Sequence, residues 1–329
     1  MNETFFSIVI PVYNTIDSYL KDCFDSVERQ NYTNYEVIVV DDGSNEETKN
    51  YLKQYEDKYR IVHHKTNSGI IVSRETGISN AKGDFILYLD SDDILNDRAL
   101  ETLNDIIVKN NCDVIMFQTP RFTNDLSEVK PLEHFFLPEG PVSHEDAISE
   151  LVNLHINPIA DKCTRRTLLD FSDDNLDKNI INGEDLQQST ALILKTDRLY
   201  FTHKEICYYR TTNFAKAYYD VNRVNDVNYM VPPYKMLFVD RSGYEKYLPV
   251  YKKACVNNVI YNAFRIYEAK LPKKETYKLL DKLGQLQITE ILANIKEKIN
   301  FPSEFVFSLI LNRHYFLLGI LARIYPIPH

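Results

Sequence analysis

The sequence of 329 residues is poor in the features that mark several common protein classes. It has only nine glycines, and neither a GxGxxG nor a GxxxxGK[ST] motif occurs, so dinucleotide-fingerprint and P-loop sites lack sequence support. The five cysteines are widely spaced, odd in number and without a CxxC pair. That spacing argues against a disulfide framework or a zinc ribbon and favours buried free thiols in a reducing compartment.

Long apolar runs and an excess of positive charge are also missing. A membrane-spanning helix needs about 20 apolar residues, whereas the longest run near the end, residues 315–322, has eight. The first residues show neither the basic nor the apolar stretch of a secretory signal, so we expect a cytoplasmic protein. With 38 basic and 47 acidic residues the net charge is −9, which argues against a nucleic-acid-binding protein.

Charge is unevenly distributed along the chain. Residues 226–329 hold 15 basic and 9 acidic residues, a balance of +6, and the remainder holds 23 and 38, a balance of −15. Such asymmetry suggests two parts with different tasks, although an accident of surface composition is the alternative. The acidic part could hold a cation and, through it, a phosphate; the basic part could face an anionic surface.

Strands and helices alternate in the first part of the sequence. Runs of apolar and β-branched residues predict buried strands, with amphipathic segments between them predicting helices. The predicted strands are 5–10, 35–40, 60–64, 84–89 and 113–118, and the predicted helices are 17–30, 45–55, 70–81 and 97–110. This alternation predicts an α/β fold with a mostly parallel sheet flanked by helices.

The alternation stops near residue 218. Helical spacing then predicts a C-terminal α-helical domain with helices at 244–270, 272–283, 285–299 and 303–325. We therefore predict two domains, an α/β domain over residues 1–225 and a helical accessory domain over residues 226–329.

Acidic side chains follow two of the predicted strands, at residues 41–42 and 90–93. In parallel sheets ligands bind beyond the carboxyl ends of the strands. Asp90 and Asp92 point the same way on an extended segment, and two such carboxylates suit Mg²⁺ or Mn²⁺. A solvated turn or a helix N-cap is the structural alternative. Asp42 could accept a hydrogen bond from a base N–H or a sugar hydroxyl.

Six motifs, in this order and at this spacing, resemble those of family 2 glycosyltransferases, which are inverting enzymes with the GT-A fold, many of them building bacterial surface glycans. The motifs are residues 7–14 (SIVIPVYN), 39–44 (VVDDGS), 67–69 (NSG), 73–78 (SRETGI), 83–93 (GDFILYLDSDD) and 183–186 (GEDL). The resemblance is good over about residues 5–120 and looser over 160–215. It implies that residues 1–225 form a Rossmann-like GT-A catalytic domain that binds a nucleotide-sugar.

The resemblance also implies which residues bind a nucleotide. Pro11 and Tyr13 would line the base pocket, and Asp42 would accept from the uracil edge. Asn67 and Arg74 would make further nucleotide contacts, with a turn asparagine and a surface arginine as the alternatives.

The remaining motifs imply a metal site and a catalytic base. Asp90 would meet the ribose and, with Asp92, hold a divalent cation on the diphosphate. Asp185, with Glu184 beside it, matches the base, although a helix N-terminus would also favour both acids. Where relatives often have an apolar residue shortly after this pair, Gln187 and Gln188 stand here. Arg210 could close over the diphosphate, or be an exposed salt-bridge partner.

The predicted reaction is transfer of one sugar, a hexose or an N-acetylhexosamine, from a UDP-sugar to a glycan acceptor that is lipid-linked or protein-linked. A nucleotidyltransferase and a non-catalytic sugar-nucleotide-binding module are the alternatives. The former normally has a basic, glycine-rich loop, and the latter would lack the base.

The C-terminal helices have two interpretations. Residues 301–329 are rich in large apolar side chains and interrupted at 312–314. They predict either a helix buried in the accessory domain or in a homo-oligomer, or an interfacial helix on the inner face of the cell membrane.

Overall fold

The computed structural model describes residues 3–172, 174, 176–180, 183–211 and 221–324. Eleven strands are found in this part of the chain. They are β1 (Phe6–Val12), β2 (Tyr35–Asp41), β3 (Arg60–His63), β4 (Phe85–Tyr88), β5 (Ile94–Leu95), β6 (Val114–Phe117), β7 (Arg121–Phe122), β8 (Gly140–Val142), β9 (Lys162–Arg165), β10 (Leu199–Thr202) and β11 (Cys207–Arg210).

The strands form one large and one small sheet. The large sheet has eight strands in the order β3-β2-β1-β4-β9-β6-β10-β8, and the small sheet has the order β5-β11-β7. In the large sheet the pairs β1/β2, β1/β4, β2/β3 and β6/β10 are parallel, while β9 and β8 pair antiparallel with their neighbours. The predicted mostly parallel α/β sheet is confirmed.

Helices connect the strands and fill the C-terminal part of the described chain. Those of the first part are α1 (Asp17–Glu28), α2 (Glu46–Leu52), α3 (Ile70–Asn80), α4 (Ala99–Asn110), α5 (His144–Val152) and α6 (Glu184–Ile193). Those of the second are α7 (Val231–Phe238), α8 (Leu248–Glu268), α9 (Lys273–Gly284), α10 (Gln287–Asn294), α11 (Phe301–Leu311) and α12 (Tyr315–Ile324). None of the described helices is both long and apolar enough to cross a bilayer.

The prediction of one continuous C-terminal helix over residues 303–325 is wrong. The segment forms two helices, α11 and α12, separated at residues 312–314, where Arg313 has a positive φ of 58°. The left-handed backbone at Arg313 ends α11 and lets the chain turn before α12 begins. Residues 325–329, also part of that prediction, lie outside the described residues.

The chain divides into two compact units, and each unit consists of three separate segments of the sequence. The first comprises residues 1–148, 156–173 and 191–215, and the second comprises 149–155, 174–190 and 216–329. The second unit thus takes two short segments from the part of the sequence that otherwise belongs to the first unit. The boundary predicted at residue 225 is a sequence prediction that these units do not test.

Burial explains the strands of the first unit. All seven residues of β1 are buried, and its alternate residues Phe6, Ile8, Ile10 and Val12 share a core with Phe24 and Val27 of α1. A strand covered on both faces needs apolar residues at successive positions, as β1 and β2 have. The five cysteines are all buried and free of disulfides, as the sequence predicts.

Candidate active site

The carboxyl ends of β1 and β2 are joined side by side in the first unit. The backbone N–H of Asn14 donates to Ser44 Oγ at 3.1 Å, and the N–H of Asn45 donates to Asn14 Oδ1 at 2.8 Å. Gly43, directly before Ser44, has a φ of +71°, and a Cβ there would lie 2.6 Å from the backbone carbonyl carbon of Thr66. Only glycine fits this close approach of the loop after β3.

Asp42 is held by that same loop. It is 4% exposed. Its Oδ1 accepts from the N–H of Ser68 at 2.8 Å and is 2.7 Å from His64 Nδ1, while its Oδ2 accepts from the N–H of Gly69 at 2.8 Å. These bonds fix the carboxylate at the sheet edge without using all of its lone pairs. The carboxylate therefore keeps the capacity to accept one further hydrogen bond.

The other predicted nucleotide contacts differ in exposure. Pro11 is buried within β1, whereas Tyr13 is 52% exposed just beyond the end of that strand. Asn67 is exposed and directly precedes Ser68, which binds Asp42. Arg74 is buried in α3, with its guanidinium 5.6 Å from the centre of the Tyr88 ring. The structure therefore holds Asp42 against the loop that carries Asn67, and it places Tyr13 at the same edge of the sheet.

Residues 90–93, the acidic loop, follow β4 at this edge. Thr15 Oγ1 and Ser91 Oγ are 2.7 Å apart, which ties the loop to the chain leaving β1. Asp90 and Asp92 are half-buried, and Asp93 is buried. Burial raises the pKa of Asp92. Burial, followed by the charges of Asp90 and Asp92, raises the pKa of Asp93 well above its usual range.

These raised pKa values bear on whether the loop fits a divalent cation. Carboxylates crowded in a partly dry site repel one another, and a hard cation relieves that repulsion. Among the described residues no group of three or more acidic, histidine or cysteine side chains has the geometry of a complete metal site. The donors fit the arrangement in which a metal is bound through one or two carboxylates and completed by substrate phosphates.

Arg210 lies beneath the acidic loop. It is 3% exposed, and its guanidinium lies 4.4 Å and 4.5 Å from the ring centres of Tyr19 and Phe122. Its Nε donates to the carbonyl of Asp92 at 2.8 Å, and its backbone N–H donates to Asp93 Oδ1 at 2.8 Å. This geometry favours a structural role, in which Arg210 holds the acidic loop in place, rather than the predicted role of closing over a diphosphate.

Asp22 completes the surroundings of this arginine. Its Oδ2 accepts from Arg210 Nη2 at 2.7 Å. The Arg210 side chain therefore joins α1, β11 and the acidic loop through charged hydrogen bonds, which are stronger than neutral ones.

Glu184 and Asp185 belong to the second unit, where they begin α6. Glu184 is buried and Asp185 is half-buried. Gly183, directly before them, has a φ of +95°, and a Cβ there would collide with the ring of Tyr229. The entry into this helix is thus fixed by glycine and by an aromatic ring of the same unit. Asn182, directly before Gly183, lies outside the described residues.

Several residues that the sequence reading missed contribute to the site. His64 orients Asp42, Thr15 binds Ser91, and Asp22 pairs with Arg210. His64 directly follows β3, at the edge of the sheet where the motifs lie, so its position was a usable signal. Asp22 carried no signal, because only the folded chain brings α1 against β11.

Residues 7–172 match the family model described as Glycosyl transferase family 2. Among curated relatives, GlyG of Streptococcus pneumoniae serotype 4 is 34% identical over 33% of this chain and 37% of GlyG. TarP of Staphylococcus aureus strain N315, a poly(ribitol-phosphate) β-N-acetylglucosaminyltransferase, is 38% identical over 33% of this chain and 35% of TarP. The chain thus spans little more than a third of the length of these two relatives.

Solved structures resemble nearly the whole chain. S. aureus TarS in complex with UDP-GlcNAc has a TM-score of 0.74 at 18% identity, covering 97% of this chain and 91% of that one. At this identity the likeness establishes the fold alone, and it confirms the GT-A prediction. With the match of the family model to half of the sequence, it follows that the chain belongs to glycosyl transferase family 2.

Proposed function

We propose that this chain transfers one sugar from a UDP-sugar to a hydroxyl group of an anionic bacterial surface glycan. The observation that carries the proposal is the arrangement of Asp42 and the acidic loop at one edge of the parallel sheet, on residues of the matched family. UDP-GlcNAc is the first donor to test, because TarP is an N-acetylglucosaminyltransferase and TarS was solved with UDP-GlcNAc.

The nucleotide is held by residues of the first unit. Asp42 accepts the N–H of the uracil edge, Tyr13 and Pro11 flank the base, and Asn67 and Arg74 add polar contacts. Because Asp42 is already oriented by Ser68 and Gly69, binding the base costs little reorganisation.

Asp90 meets the ribose, and Asp92, with Asp90, would hold Mn²⁺ or Mg²⁺ on the diphosphate. Such a cation would act as a Lewis acid that stabilises the negative charge of the leaving UDP. Arg210 keeps the loop that carries both carboxylates in place.

Asp185 is the general base, and Glu184 is the second candidate. As the acceptor oxygen bonds to the anomeric carbon, Asp185 takes the hydroxyl proton and the bond from that carbon to UDP breaks. UDP leaves with the electron pair. One displacement inverts the anomeric centre, so an α-linked donor gives a β-linked product. A positioned base of this kind contributes about 10²- to 10⁴-fold to the rate.

The helical second unit is proposed to serve the acceptor side, assembly or membrane association. We propose a peripheral position on the inner face of the cell membrane, which would suit a lipid-linked acceptor.

The test is release of UDP from a panel of UDP-hexoses and UDP-N-acetylhexosamines, with an anionic wall polymer as acceptor, in Mn²⁺, in Mg²⁺ and in EDTA. Acceptor-dependent release from one donor, lost in EDTA, is the expected result. Binding of UDP without any transfer would point instead to a non-catalytic sugar-nucleotide-binding module.

A further inference from the structure

The last two described helices carry a row of exposed apolar side chains. Phe301 and Phe305 are one helical turn apart on α11, and Phe316, Ile320 and Ile324 are spaced by four on α12. Phe301 and Phe316 are each 76% exposed, and Ile324 is 60% exposed. With Leu311, 38% exposed, these residues form what we call the C-terminal apolar face. Exposed apolar side chains that are grouped on two consecutive helices, rather than scattered singly, mark sites of interaction.

Both helices are fixed in place by their opposite sides. Phe307 and Ile310 of α11 and Tyr315 and Leu318 of α12 are buried. The backbone carbonyl of Tyr315 accepts from Tyr267 Oη at 2.5 Å. Since the opposite sides of both helices are packed, the exposed side chains of the C-terminal apolar face belong to firmly attached helices.

A cationic cavity lies beside the start of α11. It has a volume of about 660 Å³ and is lined by residues 153–154, by the first half of α8 and by residues 298–300. Lys253 and Lys298 are among the lining residues, and none of those residues is acidic. Within the described chain neither lysine has an ion-pair partner. The cavity therefore presents two lysines that are not engaged in ion pairs.

The segment that brings Lys298 to the cavity is anchored. Lys252 is buried, and its Nζ donates to the carbonyls of Ile295 and Glu297 at 2.9 Å and 2.6 Å. The N–H of Ile299 donates to Glu304 Oε1 at 3.0 Å. These bonds hold residues 295–299 without a helix, so the cavity wall is a built feature.

The cavity and the C-terminal apolar face are continuous along the chain. Asn300 lines the cavity and directly precedes Phe301, whose ring stacks on that of Phe305 with centroids 6.0 Å apart. Positive charge next to exposed aromatic side chains is the composition of surfaces that bind anionic membranes, where rings enter the acyl boundary and cations meet phosphate.

We propose that the C-terminal apolar face and the cationic cavity together dock this protein on an anionic lipid bilayer, with a phosphate headgroup in the cavity. A second copy of the chain is the poorer occupant, because a two-fold contact would enclose the lysines of both copies in one interface, and the cavity lining offers no acidic residue to pair with them. The balance of +6 over residues 226–329 favours an anionic surface for the same reason. The inference specifies the membrane contact of the proposed function, but lipid binding is measurable without sugar transfer.

The test is flotation of the full chain with vesicles of phosphatidylcholine alone or with one third phosphatidylglycerol. We expect binding to the anionic vesicles at low salt and release at high salt. The double variant Phe301→Ser/Phe316→Ser should not float, and Lys253→Gln/Lys298→Gln should bind about fivefold more weakly for each lysine removed. Matched controls are Val239→Ser, which is 62% exposed in the same unit, and Lys53→Gln/Lys109→Gln on the first unit.

Three results would overturn the inference. One is wild-type protein that ignores anionic vesicles at low salt, and another is double variants that float as the controls do. The third is a serine variant that turns a wild-type oligomer into a monomer in light scattering while vesicle binding stays unchanged, which would assign the face to a second copy. Transfer to a soluble acceptor without vesicle binding would reject this inference alone, whereas vesicle binding without any transfer would reject the proposed function alone.

Discussion

Asp92 is the residue on which the proposed metal dependence rests. The substitution Asp92→Asn keeps the shape of the side chain but removes the anionic oxygen that a divalent cation prefers. We expect transfer that depends on Mn²⁺ to be lost while the fold is kept. Initial rates of UDP release across a Mn²⁺ titration, with thermal unfolding as the test of folding, measure this.

Asp97→Asn is the matched control, since Asp97 is exposed nearby and paired with Arg29 at 3.0 Å. It should titrate with Mn²⁺ like the wild type. Native rates in the Asp92 variant without metal would refute the assignment.

Asp185 should separate chemistry from donor binding. In Asp185→Asn the amide cannot take the acceptor proton, so we expect kcat to fall about 10²- to 10⁴-fold. Calorimetry should give near-native affinity for the UDP-sugar. Glu184→Gln is the comparison that assigns the base to one of the two neighbours. A large loss of donor affinity in the Asp185 variant would instead make that side chain part of the donor site.

The two roles considered for Arg210 predict different effects of its substitution on stability and on donor binding. As a buried clamp on the acidic loop, it predicts that Arg210→Met lowers the free energy of unfolding by about 3 kcal/mol, the lower end for a buried ion pair because Asp22 is half exposed. Urea unfolding monitored by circular dichroism measures this. Unchanged stability with a raised KM for the donor would support the role that the sequence predicts, closure over the diphosphate.

The sequence could identify the acids of the site but not the surroundings of Arg210. Asp42 and Asp92 follow apolar strands, and strand ends converge in a parallel sheet, so position alone suggested them. The burial of Arg210 depends on Tyr19 and Phe122, which are 191 and 88 positions away in the chain and meet it only after folding.

Three strands of the large sheet are joined by one carboxylate. Asp113, just before β6, accepts from Arg165 Nε of β9 at 2.5 Å, and from Thr196 Oγ1 and Arg198 Nε, before β10, at 2.9 Å and 2.7 Å. Burial would raise the pKa of Asp113, but the hydrogen bonds from Arg198, Arg165 and Thr196 outweigh it and lower that pKa.

This lowered pKa sets the direction of a pH effect. The stabilisation is complete above the unfolded pKa of about 3.9 and is lost as the pH falls through the lower folded pKa. We expect Asp113→Asn to be less stable than the wild type at pH 7 and at pH 5, with a smaller difference at pH 3. Urea unfolding at these three pH values measures it. A difference that does not change with pH would show that the charge of Asp113 contributes nothing.

Elements were predictable where local pattern and tertiary burial agree. The strand predicted at 35–40 and the helix at 70–81 lie within one residue of β2 and α3. The stop at 312–314 was visible as a polar interruption, yet its effect on the helix was not, because apolar periodicity continues across it. The left-handed residue there, Arg313, directly precedes the helix whose Tyr315 and Leu318 are buried.

At the scale of the molecule, the compact units predict how a truncation behaves. A chain ending at residue 225 lacks Tyr229, against which Gly183 packs before Asp185. We expect this fragment to keep affinity for UDP, because the nucleotide residues lie in the first unit, and to lose transfer. Calorimetry with UDP and an assay of UDP release measure the two properties. Transfer at the native rate by the fragment would mean that the helical unit is dispensable for the reaction.

The discontinuity of the second unit sets a limit on how its parts can be recombined. Residues 149–155 and 174–190 belong with 216–329, so an exchange of the C-terminal third between two relatives would separate side chains that fit one another, such as Gly183 and Tyr229. The second unit can therefore be exchanged between relatives only if its three segments are exchanged together. Diversification of acceptor choice by recombination would therefore leave correlated crossovers on both sides of β9, rather than a single junction near residue 220.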